Sequence, residues 1–116
     1  MADSDQAAAI RRLYDAFNRR DVDAVLAALA PDVAWPNMLD NITIHGHDAV
    51  RAYWLRQFET TAPHVEPTAI DGDGDVVTVR VHQVVRDLAG TVLQDKDVVH
   101  TYTFRDGLVV AMQPST

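Results

Sequence analysis

The spacing of apolar residues changes near residue 60, and this change limits the folds open to the 116-residue chain. Before that point apolar residues recur every three or four positions, which indicates amphipathic helices. After it, segments rich in Val, Thr and Tyr alternate along the chain between short turns, which indicates strands. Helices followed by consecutive antiparallel strands predict an α+β fold, with the helices packed on one face of the sheet.

Three helices are predicted in the first 60 residues. The first has Asp3 or Ser4 as its cap, the second begins at Asp21 and is stopped by Pro31, and the third spans about 47–60. Their apolar faces consist of Ile10, Leu13, Tyr14 and Phe17, of Val22, Val25, Leu26 and Leu29, and of Val50, Tyr53, Trp54 and Phe58.

Five strands are predicted around and after the third helix. Turn sequences such as Asp71-Gly72-Asp73-Gly74 and Arg105-Asp106-Gly107 mark the hairpins that connect the later ones. No linker or internal repeat interrupts this order, so we expect a single domain over residues 1–116. The predicted strands span 32–38, 64–70, 75–87, 91–104 and 108–113.

Composition excludes several classes of function. The formal net charge of −7 disfavours nucleic acid and anionic membrane surfaces, because both need a clustered cationic face. The absence of cysteine excludes disulfides and thiolate chemistry. Residues 1–5 lack the order of a signal peptide, and no apolar run is long enough to cross a membrane. We therefore expect a cytoplasmic protein.

Alternation along the strand at 75–87 places Gln83 in an otherwise apolar row. A buried glutamine must find hydrogen-bond partners or it destabilises the fold by roughly 1–3 kcal/mol. Two interpretations stay open, a structural link to a neighbouring strand and an amide that orients a ligand. The row consists of Val77, Val79, Val81, Gln83 and Val85.

The strand at 91–104 carries a histidine in its bulky row, which also includes Val92, Val98, Tyr102 and Phe104. His100 is therefore expected to point inward. Histidine is the usual acid or base near neutral pH, although a lone buried histidine is also common as a plain core residue. On the last strand, the expected inner row is Leu108, Val110 and Met112.

The sequence contains no complete motif for a calcium loop, another metal site, a phosphate loop or a serine nucleophile. The segment 71–75 begins like a calcium loop, but Val76 and His82 stand where a glycine and a glutamate are required. His45 and His47 lack a third ligand at suitable spacing, so no metal is predicted. There is no glycine-rich phosphate loop and no serine in a nucleophile elbow. We predict no cofactor.

Four segments follow one another within about 6–113, namely LYDAFNRRD at 13–21, APDVAW at 30–35, GHDAVRAYW at 46–54 and YTFRDGL at 102–108. In sequence and order they resemble the SnoaL-like, nuclear transport factor 2-like superfamily. The resemblance implies three N-terminal helices closing a strongly curved sheet into a cone-shaped barrel with an internal pocket. It also implies a homodimer formed through the outer face of the sheet. The superfamily hosts many activities, so the likeness is specific for fold alone.

The best-known active sites of this superfamily are incomplete in the chain. The catalytic positions of ketosteroid isomerases correspond to Leu13, Asn37 and His100, and Tyr14 lies one residue, about 100° of helix, away from the first. The stretch Trp35-Pro36-Asn37-Met38 resembles that of limonene-epoxide hydrolases and retains their water-orienting asparagine as Asn37. Their Arg-x-Asp pair and second aspartate are missing. The aspartate of SnoaL-like polyketide cyclases also has no assigned inward counterpart.

We therefore predict a pocket protein for a small apolar or partly polar organic ligand. One alternative is an enzyme of isomerase, dehydratase, cyclase or epoxide-hydrolase type, with His100, Asn37 and Gln83 as catalytic groups. Another is a non-catalytic dimerisation or interaction module. The predicted ligand-binding residues, several of which also suit a plain core, are Tyr14, Trp35, Tyr53, Trp54, Tyr102 and Met112.

Overall fold

A computed structural model describes residues 5–37 and 40–115, without the side chain of Asp73. The predicted cap residues Asp3 and Ser4, and Met38 at the end of the first predicted strand, lie outside the described residues. The helices are α1 (Asp5–Asn18), α2 (Val22–Ala27) and α3 (His47–Thr60). The strands are β1 (Leu29–Asn37), β2 (Ile42–His45), β3 (Thr61–Asp73), β4 (Val76–Asp87), β5 (Val92–Arg105) and β6 (Leu108–Ser115).

The strands form one six-stranded sheet in the order β2-β1-β6-β5-β4-β3. Within the described ranges, the pair β1–β6 is parallel and the other four pairs are antiparallel. The predicted α+β fold with a mainly antiparallel sheet is therefore confirmed. Register shifts between β3 and β4 and between β5 and β6 add the local bends that curve a sheet.

Two details near the start of the sheet differ from the prediction. The second helix ends at Ala27, and Leu29, predicted to belong to that helix, begins β1 instead. The backbone N–H of Val109 donates to the carbonyl of Ala28, at 3.0 Å, and so draws this segment into the sheet before Pro31 is reached. The short β2 was not predicted, because it has only four residues, and of its two alternating isoleucines Ile42 is exposed and only Ile44 packs against the core.

The inner row of β6 also differs from the prediction. Val109 is 1% exposed and Met112 is buried, whereas Leu108 and Val110 are only half-buried. The register of β6 against β5 shifts beside Phe104, so that Val110 is an extra residue in the strand. Such a bulge interrupts the strict alternation on which the prediction rested.

Asn18 ties α1 to the inner face of the sheet, and Asp21 caps the start of α2. The side chain of Asn18, at the end of α1, donates to the carbonyl of Val65 and accepts from its N–H, at 2.8 and 2.9 Å. Asp21 caps α2 as predicted, accepting from the N–H of Ala24 at 3.2 Å. None of the helices in the described ranges has the length and apolar character that a membrane crossing requires.

Candidate functional site

A cavity of about 570 Å³ lies between the inner face of the sheet and the helices α1 and α3. This volume is within the usual range of ligand pockets, about 300–1,000 Å³. Most of its wall is aromatic or aliphatic. The apolar lining includes Leu13, Tyr14, Phe17, Trp35, Tyr53, Trp54, Val65, Val85, Val98, Tyr102 and Met112.

The cavity brings together eight of the nine side chains proposed from the sequence. Asn37 is not among the described residues that line it. Its amide nitrogen instead donates to Asp40 at 3.0 Å, and its amide oxygen accepts from the backbone N–H of Asp40 at 2.9 Å. The same Asp40 oxygen binds Arg56 at 2.9 Å. A contact of Asn37 with a ligand stays a prediction.

The most ordered polar feature of the cavity is a chain of three side chains. The hydroxyl of Tyr102 donates to the hydroxyl of Tyr14 at 2.8 Å, and the Tyr14 hydroxyl lies 2.7 Å from Nδ1 of His100. Because Tyr14 accepts from Tyr102, its own proton needs an acceptor, and Nδ1 is the only one that these bonds provide. The chain therefore assigns the ring proton of neutral His100 to Nε2.

All three groups are uncharged near neutral pH, and burial widens the pH range over which they stay uncharged. Burial lowers the pKa of His100 from 6.5 to about 4. The pKa of Tyr14 is raised well above 10.0 by burial and then by the neighbouring Tyr102. Burial also raises the pKa of Tyr102. The site is thus a set of fixed dipoles without a formal charge.

The Nε2–H of His100 is free to meet a ligand. No described residue hydrogen-bonds to this nitrogen. Among the described residues, no fully buried side-chain nitrogen or oxygen lacks a partner, so Nε2 must be open to the space beside it. Since His100 lines the cavity, that space is the cavity. The arrangement offers one hydrogen-bond donor of fixed direction in an apolar wall.

At the mouth of the cavity, Gln83 donates to the side-chain oxygen of Gln94 at 2.7 Å. The structural link to a neighbouring strand that the sequence suggested is therefore present, and a ligand-orienting role for Gln83 stays a prediction. Lys96 also lines the mouth. Sequence reasoning missed it, although alternation from His100 through Val98 places it in the same inner row.

The paired histidines before α3 have structural surroundings. His47 lies with its Nε2 2.9 Å from the carbonyl of Leu29, which ties the start of α3 to β1. Gly46, the N-cap, has φ of 88°, a conformation that glycine adopts without strain. Within the described ranges, no three His, Asp or Glu side chains are placed to hold a metal ion.

Known structures with this fold are similar over nearly the whole chain. An NTF2-like protein of unknown function from Burkholderia pseudomallei is 31% identical, with 97% of this chain and 90% of that chain covered and a TM-score of 0.86. TerC, crystallised with polyporic acid, is 28% identical, with 96% and 90% covered and a TM-score of 0.85. An LEH-like epoxide hydrolase from M. tuberculosis shares the fold at 18% identity, with 95% and 80% covered and a TM-score of 0.78.

The sequence itself identifies the family. No curated protein sequence matches the chain significantly. Residues 10–112, however, match the profile of the SnoaL-like domain. The match includes every helix and strand given above except the start of α1 and the end of β6. The resemblance seen in the four sequence segments is confirmed, and the chain belongs to the SnoaL-like domain family.

Proposed function

We propose that this protein binds a small, largely apolar organic molecule in the cavity, with an acceptor atom of the ligand on the Nε2–H of His100. The observation that carries the proposal is the Tyr102–Tyr14–His100 chain, which fixes one donor in a wall that is otherwise mostly apolar. Ligand sites commonly combine an apolar surface with a few placed polar groups. The curved sheet and the helices would together enclose the ligand as a cone-shaped barrel.

The aromatic side chains favour a flat or ring-containing ligand. Trp35 and Trp54 meet edge to face with ring centroids 5.3 Å apart, and Trp35 lies 6.3 Å from the ring of Tyr102. Rings held in this way offer rigid apolar surface and lose little side-chain entropy when a ligand binds. The crystallisation of the related TerC with polyporic acid supports a small organic ligand for this cavity too.

The described lining favours binding over the predicted enzymatic alternative. It contains no carboxylate that could take up a proton from a ligand. Since the pKa of His100 is lowered to about 4, its imidazole is a weak base and is not a proton donor in cationic form near pH 7. A reaction that used His100, Asn37 and Gln83 together would also need Asn37 to turn from Asp40 toward the cavity.

The test is binding of N-phenyl-1-naphthylamine, an uncharged dye that fluoresces in apolar surroundings. Val98→Phe places extra ring volume in the cavity, because Val98 is buried and lines it. The control is Leu55→Phe, which adds an aromatic ring at an exposed position of α3 outside the described lining. We expect the wild type and Leu55→Phe to bind the dye and Val98→Phe to lose binding.

A urea unfolding curve for each variant shows whether it is folded. Equal dye binding by folded Val98→Phe and Leu55→Phe would contradict the proposal, as would a wild-type protein that does not bind the dye. A second variant, Met112→Phe, fills the cavity from β6 and keeps the test decisive if Val98→Phe does not fold.

We further propose that two copies pair through the outer face of the sheet. Beside charged residues such as Arg80 and Asp97, this face presents half-buried, uncharged side chains such as Val84, Val99 and Thr101. Small uncharged residues suit a contact between two sheets. Sedimentation at low micromolar concentration should show a dimer, and Val99→Arg should shift it toward monomer. A wild-type protein that sediments as a monomer would contradict the pairing.

A further inference from the structure

Lys96 is the one charged side chain among the described residues that line the cavity. It is also the only lysine in a chain that has 17 acidic residues and a net charge of −7. No Asp or Glu is part of the described lining. The described lining of the cavity in this acidic protein therefore carries a single positive charge, which lies at the mouth.

The strand geometry separates Lys96 from the carboxylates beside it in the sequence. Alternation puts Lys96 on the inner face of β5 with Val98 and His100, and puts Asp95 and Asp97 on the outer face. Asp95 is already paired there, with its carboxylate 2.6 Å from Nε2 of His82. No described residue forms an ion pair with Lys96. Its ammonium group is thus available to a ligand.

The surroundings of Lys96 suit an anion. Its cross-strand neighbour on β4 is Gln83, whose amide binds Gln94 at 2.7 Å. The pair leaves one N–H of Gln83 and the whole NH₂ group of Gln94 as further donors at the mouth. An ammonium group beside amide N–H groups can bind a carboxylate, a sulfonate or a phenolate through charge-assisted hydrogen bonds.

The spacing of polar groups sets the length of the ligand. Lys96 and His100 are four residues apart on one face of a continuous strand, and this corresponds to about 13 Å along β5. Val98, between them, is apolar and buried. A ligand that reaches both ends needs a negative group near the mouth, an apolar body and an acceptor at the inner end.

We infer that the cavity selects an elongated organic anion, whose negative group binds Lys96 and whose acceptor binds the Nε2–H of His100. The inference rests on the proposed binding function and adds the charge and length of the ligand. It also explains why a chain with excess negative charge places no described carboxylate in the cavity wall.

The test uses two compounds that differ only in charge, 4′-hydroxybiphenyl-4-carboxylate and the corresponding carboxamide. Each is used to displace N-phenyl-1-naphthylamine from the full chain. We expect the carboxylate to bind about fivefold more tightly than the carboxamide, as an exposed ion pair allows. Lys96→Gln should remove this preference, and Lys96→Arg should retain most of it.

The matched control is Arg80→Gln, which removes one positive charge from the exposed outer face of β4 and leaves the cavity wall unchanged. It should keep the wild-type preference for the carboxylate. Loss of the preference in Arg80→Gln as well would assign the effect to net charge and overturn the inference. Equal affinities for the two compounds in the wild type, or displacement by neither, would also overturn it.

A failure of the proposed function has a different result, because the uncharged dye itself would then not bind.

Chemical protection of Lys96 by a bound ligand supplies a second readout. Acetylation with an N-hydroxysuccinimide ester reaches Lys96 and the N-terminal amine, which mass spectrometry of peptides distinguishes. Bound carboxylate should slow acetylation of Lys96 severalfold and leave that of the N-terminal amine unchanged, and equal slowing at both sites would count against the inference.

Discussion

The inner face of β4 and β5 carries His100, and the outer face carries His82. The two histidines differ in burial, in hydrogen-bond partner and in the direction in which the pKa is shifted. His100, on the inner face, is buried, bonded to an uncharged tyrosine and has its pKa lowered by desolvation to about 4. His82, on the outer face, is exposed and has its pKa raised, first by its hydrogen bond to Asp95 and then by the charges of Asp95, Asp97 and Glu66.

This difference shows how one sheet separates two chemical environments by alternation alone. Val79 faces His100 across the β4–β5 pair, and Asp97 faces His82 three register positions farther along the same pair. A single step along either strand exchanges a buried, uncharged side for one that carries exposed charged groups. Among the described residues, the inner face lines the candidate ligand site with uncharged side chains up to Lys96 at the mouth.

The largest expected effect comes from placing a charge on the inner face. Val79→Asp buries a carboxylate at a position that is 0% exposed, and should reduce the free energy of unfolding by at least about 4 kcal/mol. Thr78→Asp, one residue away on the exposed face, should reduce it by only about 1–2 kcal/mol, because aspartate is a poor strand residue and lies opposite Asp71. Urea unfolding measures both, and similar losses would break the comparison between the two faces.

The next largest effect is the loss of stability at low pH through His100. Its pKa in the folded state is about 4 against 6.5 for a free histidine, so the unfolded chain takes up this proton first as the pH falls. The contribution of neutral His100 to the unfolding free energy is therefore fully present above pH 6.5. It is lost as the pH falls from 6.5 to 4, by roughly 3 kcal/mol in all. His100→Gln should flatten this part of the curve of unfolding free energy against pH.

Removing the hydroxyl of Tyr14 should have an intermediate effect. Tyr14→Phe leaves the hydroxyl of Tyr102 and Nδ1 of His100 without partners and should cost about 1–3 kcal/mol of unfolding free energy at pH 7.5. Tyr102→Phe removes only the hydrogen bond from Tyr102 to Tyr14 and should reduce the unfolding free energy by less, about 0.5–1.5 kcal/mol. Equal costs in thermal or urea unfolding would contradict the order of donors assigned here.

The smallest effect is expected at His82, with the opposite sign. Because its pKa is raised in the folded protein, its contribution to stability is present below pH 6.5 and is lost as the pH rises through the folded pKa. His82→Gln should therefore lower stability slightly at pH 5.5 and leave it unchanged at pH 9. A larger loss at pH 9 than at pH 5.5 would contradict the ion pair with Asp95.

The sequence predicted the two faces of β4 and β5 correctly over their central residues, where no bulge interrupts the alternation. Val92, predicted in the inner row of β5, is instead 49% exposed, beyond the register shift near the end of the pair. Val77, Val79 and Val81 on β4, and Val98 and Tyr102 on β5, are all buried as alternation requires. The same reasoning gave the wrong inner row for β6, where a bulge that no residue in the sequence marks changes the alternation. Strand existence was therefore easier to predict than strand register.

The hydrogen bonds within the site were beyond prediction for a different reason. Tyr14 and His100 are 86 residues apart, and only the packing of α1 on the sheet brings them to 2.7 Å. Comparison with ketosteroid isomerases drew attention to Leu13, whereas the helix turns both Leu13 and Tyr14 toward the cavity. Lys96 was overlooked because a charged residue near a strand end is usually solvated, and only the inner row to which it belongs could have marked it.

The central claim is that His100 is neutral near pH 7, with its proton on Nε2 available to a ligand. Nitrogen-15 NMR of the imidazole rings tests it directly, with His100 assigned from the spectrum of His100→Gln. We predict the Nε2–H tautomer at pH 7, no protonation until the pH approaches 4, and a shift of Nε2 when 4′-hydroxybiphenyl-4-carboxylate is added. A proton on Nδ1, or titration near pH 6.5, would contradict the account.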